Sequence, residues 1–259
     1  MLLPRRPPLS LAADEVHLWD ARIGAFAERE SEFASLLDDE ERQRAARFRF
    51  APDRTQYVVS HGLARTALAR YAGTGPHELR FEIGCFGKPA LHNRASRDDR
   101  IAPTLEFNLS HAGAFMMLAV CAGSPVGVDV ERWDTRIDYT ELAEFCFSPA
   151  ERCELTTLAA DERARAFFAG WTLKEAYIKA TGVGVAFGLD YFDVALRPSG
   201  GSRLLADRRT RGAPERWCVR SIPVEPGYSA ALAALTATPR LCRFSLSPQA
   251  PAQADDQRR

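Results

Sequence analysis

Val126-Gly127-Val128-Asp129-Val130-Glu131 is the stretch that most restricts what this chain can become. Side chains alternate across a β-strand, so the three valines point one way and Gly127, Asp129 and Glu131 the other. The valine side needs an apolar layer. Two carboxylates on the opposite side repel each other unless they stand in water or share a cation. Alone, the pattern fits an edge strand with its polar face in water.

The stretch Phe167–Thr181 shifts that balance. Phe167, Phe168, Trp171, Glu175 and Ile178 recur at three- and four-residue steps, which places them on one helix face. Glu175 falls one turn past Trp171, on or beside the packed side, and Lys179 falls one turn further. The simplest account is an i,i+4 Glu–Lys pair at the edge of a core helix, which contributes about 0.2–0.5 kcal/mol. Such a helix also needs an apolar strand to pack on, and it would carry a third carboxylate toward Asp129 and Glu131. Three oxygen ligands without imidazole or thiolate suit Mg²⁺, with Mn²⁺ as an alternative. Mg²⁺ keeps several waters and is completed by substrate phosphate.

A metal-bound phosphate brings more negative charge than one ion cancels, so cations matter next. Lys88 sits in a Gly-Lys-Pro turn, Lys174 and Lys179 lie on the acidic helix, and Arg44 and Arg54 belong to a basic region from Arg42 to Arg54. Each one singly reads as solvated. Ser110-His111 directly follows a strand and precedes a glycine, a position where ligand groups collect.

Composition acts mainly by exclusion. Lys+Arg and Asp+Glu are both 34, with no global excess to suggest a nucleic-acid binder. No run approaches the ~20 apolar residues of a membrane span, and Met1-Leu-Leu-Pro-Arg-Arg-Pro-Pro lacks the form of a signal peptide. The six cysteines are scattered without a C-x-x-C pair, so free thiols are expected rather than a disulfide framework or a zinc site. These features together predict a cytoplasmic chain with no membrane or nucleic-acid partner. The sequence contains no G-x-S-x-G elbow, Walker loop or G-x-G-x-x-G.

In order, the patterns predict a strand at 15–21, a helix over 31–48, a helix over 53–71 stopped at Gly73, and a strand at 79–83. A polar loop at 93–103 and strands at 106–109, 115–121 and 126–131 follow. Ser148-Pro149-Ala-Glu151 opens a helix with a capping box. After the Trp171 helix come strands at 192–197, 203–206, 217–222 and 228–235, with a turn at Pro198-Ser-Gly-Gly. Gly113-Ala-Phe-Met-Met-Leu-Ala-Val and Gly227-Tyr-Ser-Ala-Ala-Leu-Ala-Ala echo each other. The expected organisation is α+β, in two similar halves at 14–124 and 125–246, with disordered tails at 1–13 and 247–259.

Four stretches in this order resemble the Sfp-type 4′-phosphopantetheinyl transferases. They are Phe86-Gly-Lys88-Pro89, Phe107-Asn108-Leu-Ser110-His111, Gly127-Val-Asp129-Val-Glu131, and Trp171-x-x-Lys174-Glu175-Ala-x-x-Lys179. Asp129 and Trp171 are 42 positions apart, a spacing that fits the family. Glu40–Phe48 is similar to its basic N-terminal helix. The resemblance spans about residues 15–235 and implies two pseudo-symmetric halves with the coenzyme site at their interface.

The implied reaction moves the phosphopantetheine arm of coenzyme A to a serine of an apo carrier protein and releases 3′,5′-ADP. By the same resemblance Asp129, Glu131 and Glu175 hold Mg²⁺, Glu175 is the base toward the serine, and Lys179 neutralises the pyrophosphate. Arg44, Lys88, Asn108, Ser110, His111 and Lys174 fall on the coenzyme side. A monomer acting on acyl, polyketide, peptidyl or aminoadipate-pathway carriers is implied. Some relatives lack an acid at the Glu131 position, and Gln56, with Arg54 nearby, stands where relatives often carry a basic residue. The competing readings are a Mg²⁺-dependent phosphodiesterase using the same carboxylates, and a non-catalytic module whose Arg42–Arg54 region binds nucleic acid or an acidic partner.

Overall fold

The computed structural model describes residues 9–84, 86–92, 104–134, 136–184, 188–196, 201–248 and 254–255. The loop expected at 93–103, most of the Pro198–Gly201 turn, and most of both tails lie outside the described residues.

Strand β1 (Glu15–Arg22) leads through a 3₁₀ segment, Ile23–Arg29, into α1 (Glu30–Ala34), α2 (Asp39–Ala46) and the long α3 (Ala51–Ala72). The hairpin β2 (Phe81–Ile83) and β3 (Pro89–Leu91) precedes β4 (Leu105–Ala112) and β5 (Phe115–Ala122). Then come β6 (Val126–Arg132), α4 (Tyr139–Cys146), α5 (Pro149–Thr156) and the long α6 (Ala160–Thr181). The pair β7 (Phe192–Val194) and β8 (Leu204–Asp207), the short α7 (Ala213–Arg216), and β9 (Cys218–Ser221), β10 (Tyr228–Ala234), β11 (Arg240–Leu246) and β12 (Ala254–Asp255) complete the order.

Two sheets dominate, one ordered β12-β11-β1-β5-β4 and the other β6-β10-β9. Their strand alternation assigns each face a separate task. Val16, Leu18, Met117 and Ala119 of the first sheet meet Val126, Val128, Val130, Ala230 and Leu232 of the second in a shared core. The outer face of the first sheet, with Trp19, Met116, Leu118 and Val120, packs under α3. The outer face of the second, with Ala231, Ala233 and Val219, packs under α6. The result is four layers: helix, sheet, sheet, helix.

The halves mirror each other as expected. Helices α3 and α6 are both 22 residues long and both end on a left-handed glycine, Gly73 at φ 65° and Gly182 at φ 71°. The echoing segments become the apolar strands β5 and β10, each next to the first strand of its half. One crossing breaks the symmetry. Strand β11, which no sequence pattern singled out, pairs in parallel with β1, so the expected C-terminal half at 125–246 includes a strand of the N-terminal sheet.

The helix expected over 31–48 is also divided. Asp38 stops it by capping α2: its Oδ1 accepts from Glu41 N at 2.9 Å, while Glu41 Oε2 accepts from Asp38 N at 3.0 Å. Arg65, 1% exposed, then ties α3 to this cap through Asp38 and Glu41.

Candidate active site

Helix α6 can approach β6 only because residue 127 is glycine. A Cβ there would lie 2.1 Å from the Ala176 carbonyl oxygen and 2.4 Å from Ala180 N. Two residues along the strand, Asp129 leaves from the same face and meets the helix where Lys179 projects. Asp129 is 1% exposed. Its Oδ1 accepts from Lys179 Nζ at 2.5 Å and from Ser110 Oγ at 3.0 Å. Among the described residues its Oδ2 has no hydrogen-bond partner.

Glu175 is the second buried acid, 9% exposed, and its Oε1 is likewise without a partner. Burial, reinforced by the Asp129 charge and opposed by Lys179, pushes its carboxyl up to about 7. Glu131 stands at the outer end of the group and accepts from Trp171 Nε1 at 3.4 Å. Burial and the Asp129 charge push it up to about 7 as well. The three acids influence one another electrostatically, and two of them carry orphaned, buried oxygens; oxygen donors of this kind are the chemistry that suits a hard divalent cation such as Mg²⁺. The fit is strongest for Asp129 and Glu175, and Glu131 is the peripheral member.

Beside the acids lies a cationic wall. Burial, and then the neighbouring charges of His61, Lys179 and Arg44, push His111 down to about 4. The Arg44 guanidinium lies over the Tyr57 ring at 5.8 Å, and Tyr57 stacks on His61 at 4.0 Å. His61 in turn contacts Glu41 through Nδ1 at 3.0 Å. The sequence reading missed His61. It follows Tyr57 by one turn of α3, and a lone histidine inside a helical pattern carries no signal of its own.

Several expected coenzyme residues have other duties. Lys174 is the clearest correction. It is fully buried, paired with Glu151 at 2.8 Å, and donates to the Leu189 and Phe192 carbonyls at 2.7 Å each. It points into the core of the C-terminal half, away from the Glu175 side of α6. Burial pulls Lys174 down and Glu151 up, both toward neutrality. Asn108 is 6% exposed, and its Oδ1 accepts from Val128 N at 2.9 Å. Asn108 therefore straps β4 to β6, a contact between the halves.

Ser110 shares that strap, since its Oγ accepts from Val130 N at 3.3 Å, yet it also touches Asp129 and Lys179. Lys88 donates to the Val126 and Ala180 carbonyls at 3.1 and 3.3 Å, at the C-terminal end of α6, where a cation is favoured. Arg54 pairs with Glu30 at 2.8 Å. Gln56 donates to the Gly113 carbonyl and lines a cavity of about 1130 Å³ with Arg132, Trp133 and Tyr228.

Comparison with known proteins identifies the family. Residues 125–233 match the model of the 4′-phosphopantetheinyl transferase superfamily, and residues 26–123 match that of the 4′-phosphopantetheinyl transferase N-terminal domain. The chain is 35% identical to the 4′-phosphopantetheinyl transferase HetI of Nostoc sp. over 202 residues, covering 78% of this chain and 83% of that protein. It is 28% identical to the 4′-phosphopantetheinyl transferase Sfp of Bacillus subtilis over 208 residues, covering 80% and 86%. It is also 28% identical to the L-aminoadipate-semialdehyde dehydrogenase-phosphopantetheinyl transferase of Xenopus laevis, over 70% of this chain and 62% of that one. The chain therefore belongs to the 4′-phosphopantetheinyl transferase superfamily, whose enzymes place the phosphopantetheine arm on carrier proteins.

Proposed function

We propose that this enzyme takes the arm from coenzyme A in a Mg²⁺-dependent reaction at the Asp129–Glu175 group. The observation that carries this reading is the pair of buried, unpartnered carboxylate oxygens, Asp129 Oδ2 and Glu175 Oε1, held against Lys179. Asp129, Glu175 and, at the periphery, Glu131 would hold Mg²⁺, with Mn²⁺ as a substitute. The ion supplies neutralisation of the pyrophosphate charge.

The protein's own groups supply the rest. Glu175, a buried carboxylate on α6 with one oxygen left unpartnered, is the group that would accept the proton of the carrier serine. The serine oxygen forms its bond to the β-phosphorus while the bond to 3′,5′-ADP breaks, and the departing oxygen carries the released charge. Lys179 faces that charge. Arg44, His61, His111 and Ser110 form the polar wall that would bind the nucleotide phosphates, and catalysis is mostly positioning and charge neutralisation. Lys88 sets the end of α6 and so acts on the site through the helix.

Apo carriers of the acyl, polyketide, peptidyl or aminoadipate-pathway type are the proposed acceptors, met by a cytoplasmic monomer. No helix among the described residues is long and apolar enough to cross a membrane.

The test is a mass measurement. A panel of apo carriers is incubated with the enzyme, coenzyme A and Mg²⁺. One arm is expected on each accepted carrier, with none added in chelator and full recovery on returning Mg²⁺. Hydrolysis of coenzyme A with every carrier unmodified would favour a phosphodiesterase instead.

A further inference from the structure

A second group of metal-ligating side chains lies outside the transferase site, on the outer face of the first sheet. Glu15, His17 and Cys242 offer ligand atoms that all fall within 4.8 Å of one another. The register explains the meeting: β1 and β11 run parallel with His17 opposite Cys242 and Glu15 opposite Arg240. We propose that Glu15, His17 and Cys242 bind a zinc-type divalent cation that clips β1 to β11.

The spacing is close to what the ion needs. A tetrahedral centre with bonds of about 2.0–2.3 Å sets its ligand atoms about 3.3–3.7 Å apart. Here His17 Nε2 is 3.5 Å from Glu15 Oε2 and Cys242 Sγ is 3.7 Å from the other carboxylate oxygen, Oε1, so the imidazole and the thiol flank the carboxylate, with one ligand atom from each residue inside 4.8 Å. One carboxylate, one imidazole and one thiol are a borderline-soft set, unlike the all-oxygen group at Asp129.

The surroundings also hold the histidine ring in place. His17 Nδ1 lies 2.8 Å from the Tyr71 hydroxyl, which accepts from Trp19 Nε1 at 2.7 Å. The tautomer in which Nδ1 donates to that oxygen is the one whose Nε2 lone pair faces Glu15 and is open to a metal. The ring itself is clamped against Phe244 at 4.9 Å and is 4% exposed.

The carboxylate and a thiolate balance a divalent ion, with the thiol proton released to solvent on binding. Two cations face the group. Arg240 Nη2 pairs with Glu15 Oε1 at 2.6 Å from a half-exposed side chain, and Arg70 stands near His17. Ala12 N also donates to Glu15 Oε2 at 2.8 Å. These partners hold the carboxylate in place without the ion, and a cation bound at Glu15 Oε1 would compete with the half-exposed Arg240 for that oxygen.

The experiment uses full-length protein stripped of metal, with excess Mg²⁺ to fill the hard-oxygen site. One equivalent of Co²⁺ is expected to raise a thiolate-to-cobalt absorption band in the near ultraviolet, which Zn²⁺ then abolishes. Glu15→Gln keeps the side-chain shape and should weaken Co²⁺ binding at least about tenfold. Cys242→Ser should remove the band, while Cys153→Ser, at an exposed thiol, should leave it. Zn²⁺ should also raise the unfolding midpoint of the wild type but not of Cys242→Ser. Absence of the band in the wild type, or its survival in Cys242→Ser, overturns the proposal. Neither result depends on carrier modification, so the transferase reading is tested separately.

Discussion

Replacing Gly127 with alanine adds one methyl group, yet it should disturb both fold and catalysis. The new Cβ would lie 2.1 Å from the Ala176 carbonyl oxygen, whereas ordinary contact begins at 3.4 Å. Strand and helix must therefore separate by about 1.3 Å, because the obstructing atoms are backbone and no side chain can swing aside. Overpacking of this kind costs about 1–3 kcal/mol, and an obstacle made of backbone places Gly127→Ala near the upper end. The same separation opens the gap between Asp129 on β6 and Glu175 and Lys179 on α6. A misplacement of about 1 Å in a catalytic group costs on the order of 100-fold in rate.

The assay pairs urea denaturation with the initial rate of carrier modification, both at saturating Mg²⁺ and coenzyme A. Stability and rate should fall together, and Gly127→Ser should be at least as harmful. A Gly127→Ala protein with wild-type stability and near-wild-type rate would refute the idea that strand–helix contact sets the carboxylate geometry.

Other perturbations separate the site's parts. Glu175→Gln should lower the rate by about 10²–10⁴-fold while leaving the unfolding midpoint at or above wild type, because it removes a buried carboxylate with an orphaned oxygen. Lys174→Met leaves the buried Glu151 carboxyl without its cation, and should cost about 3–5 kcal/mol in chemical denaturation at a pH that keeps it ionised; the Lys174→Met/Glu151→Gln double variant should recover most of it. His111 has a folded pKa pushed down to about 4 from 6.5, so the unfolded chain binds its proton first as pH falls. Its contribution to stability is thus present above pH 6.5 and lost between 6.5 and 4, and His111→Asn should flatten the stability profile in that window.

The sequence patterns were most readable where one element has two chemically distinct faces. The Val126–Glu131 alternation survives in full: the valines join the inter-sheet core, and Gly127, Asp129 and Glu131 lie on the α6 side. The Phe167–Thr181 period placed Glu175 correctly for the same reason. Lys174 misled because a motif position does not say which face of the helix it occupies, and one residue before Glu175 means about 100° around the axis. Asn108 and Ser110 carry a second duty that the sequence did not show. Strand β4 and strand β6 meet through side chains as well as shape, so polar residues that look poised for a ligand are partly consumed in joining the halves.

Strand β11 was missed because its pattern is weak, with only Phe244 fully buried, and because its partner lies more than 200 positions away. His61 drew no notice because its importance comes from its place near His111, which Arg44 and Lys179 also approach from other elements.

The pairing of β1 with β11 has a temporal meaning during synthesis. The first strand leaves the ribosome with β5 still unmade on one side and β11 on the other, and the second vacancy persists until residues 240–246 emerge. Until then β1 exposes a bare edge of backbone amides and carbonyls, the kind of edge that recruits foreign strands. The N-terminal half is therefore not a unit that can be finished in advance. Chains cut anywhere between the two halves should emerge as aggregation-prone fragments, and the last long strand decides when the first is safe.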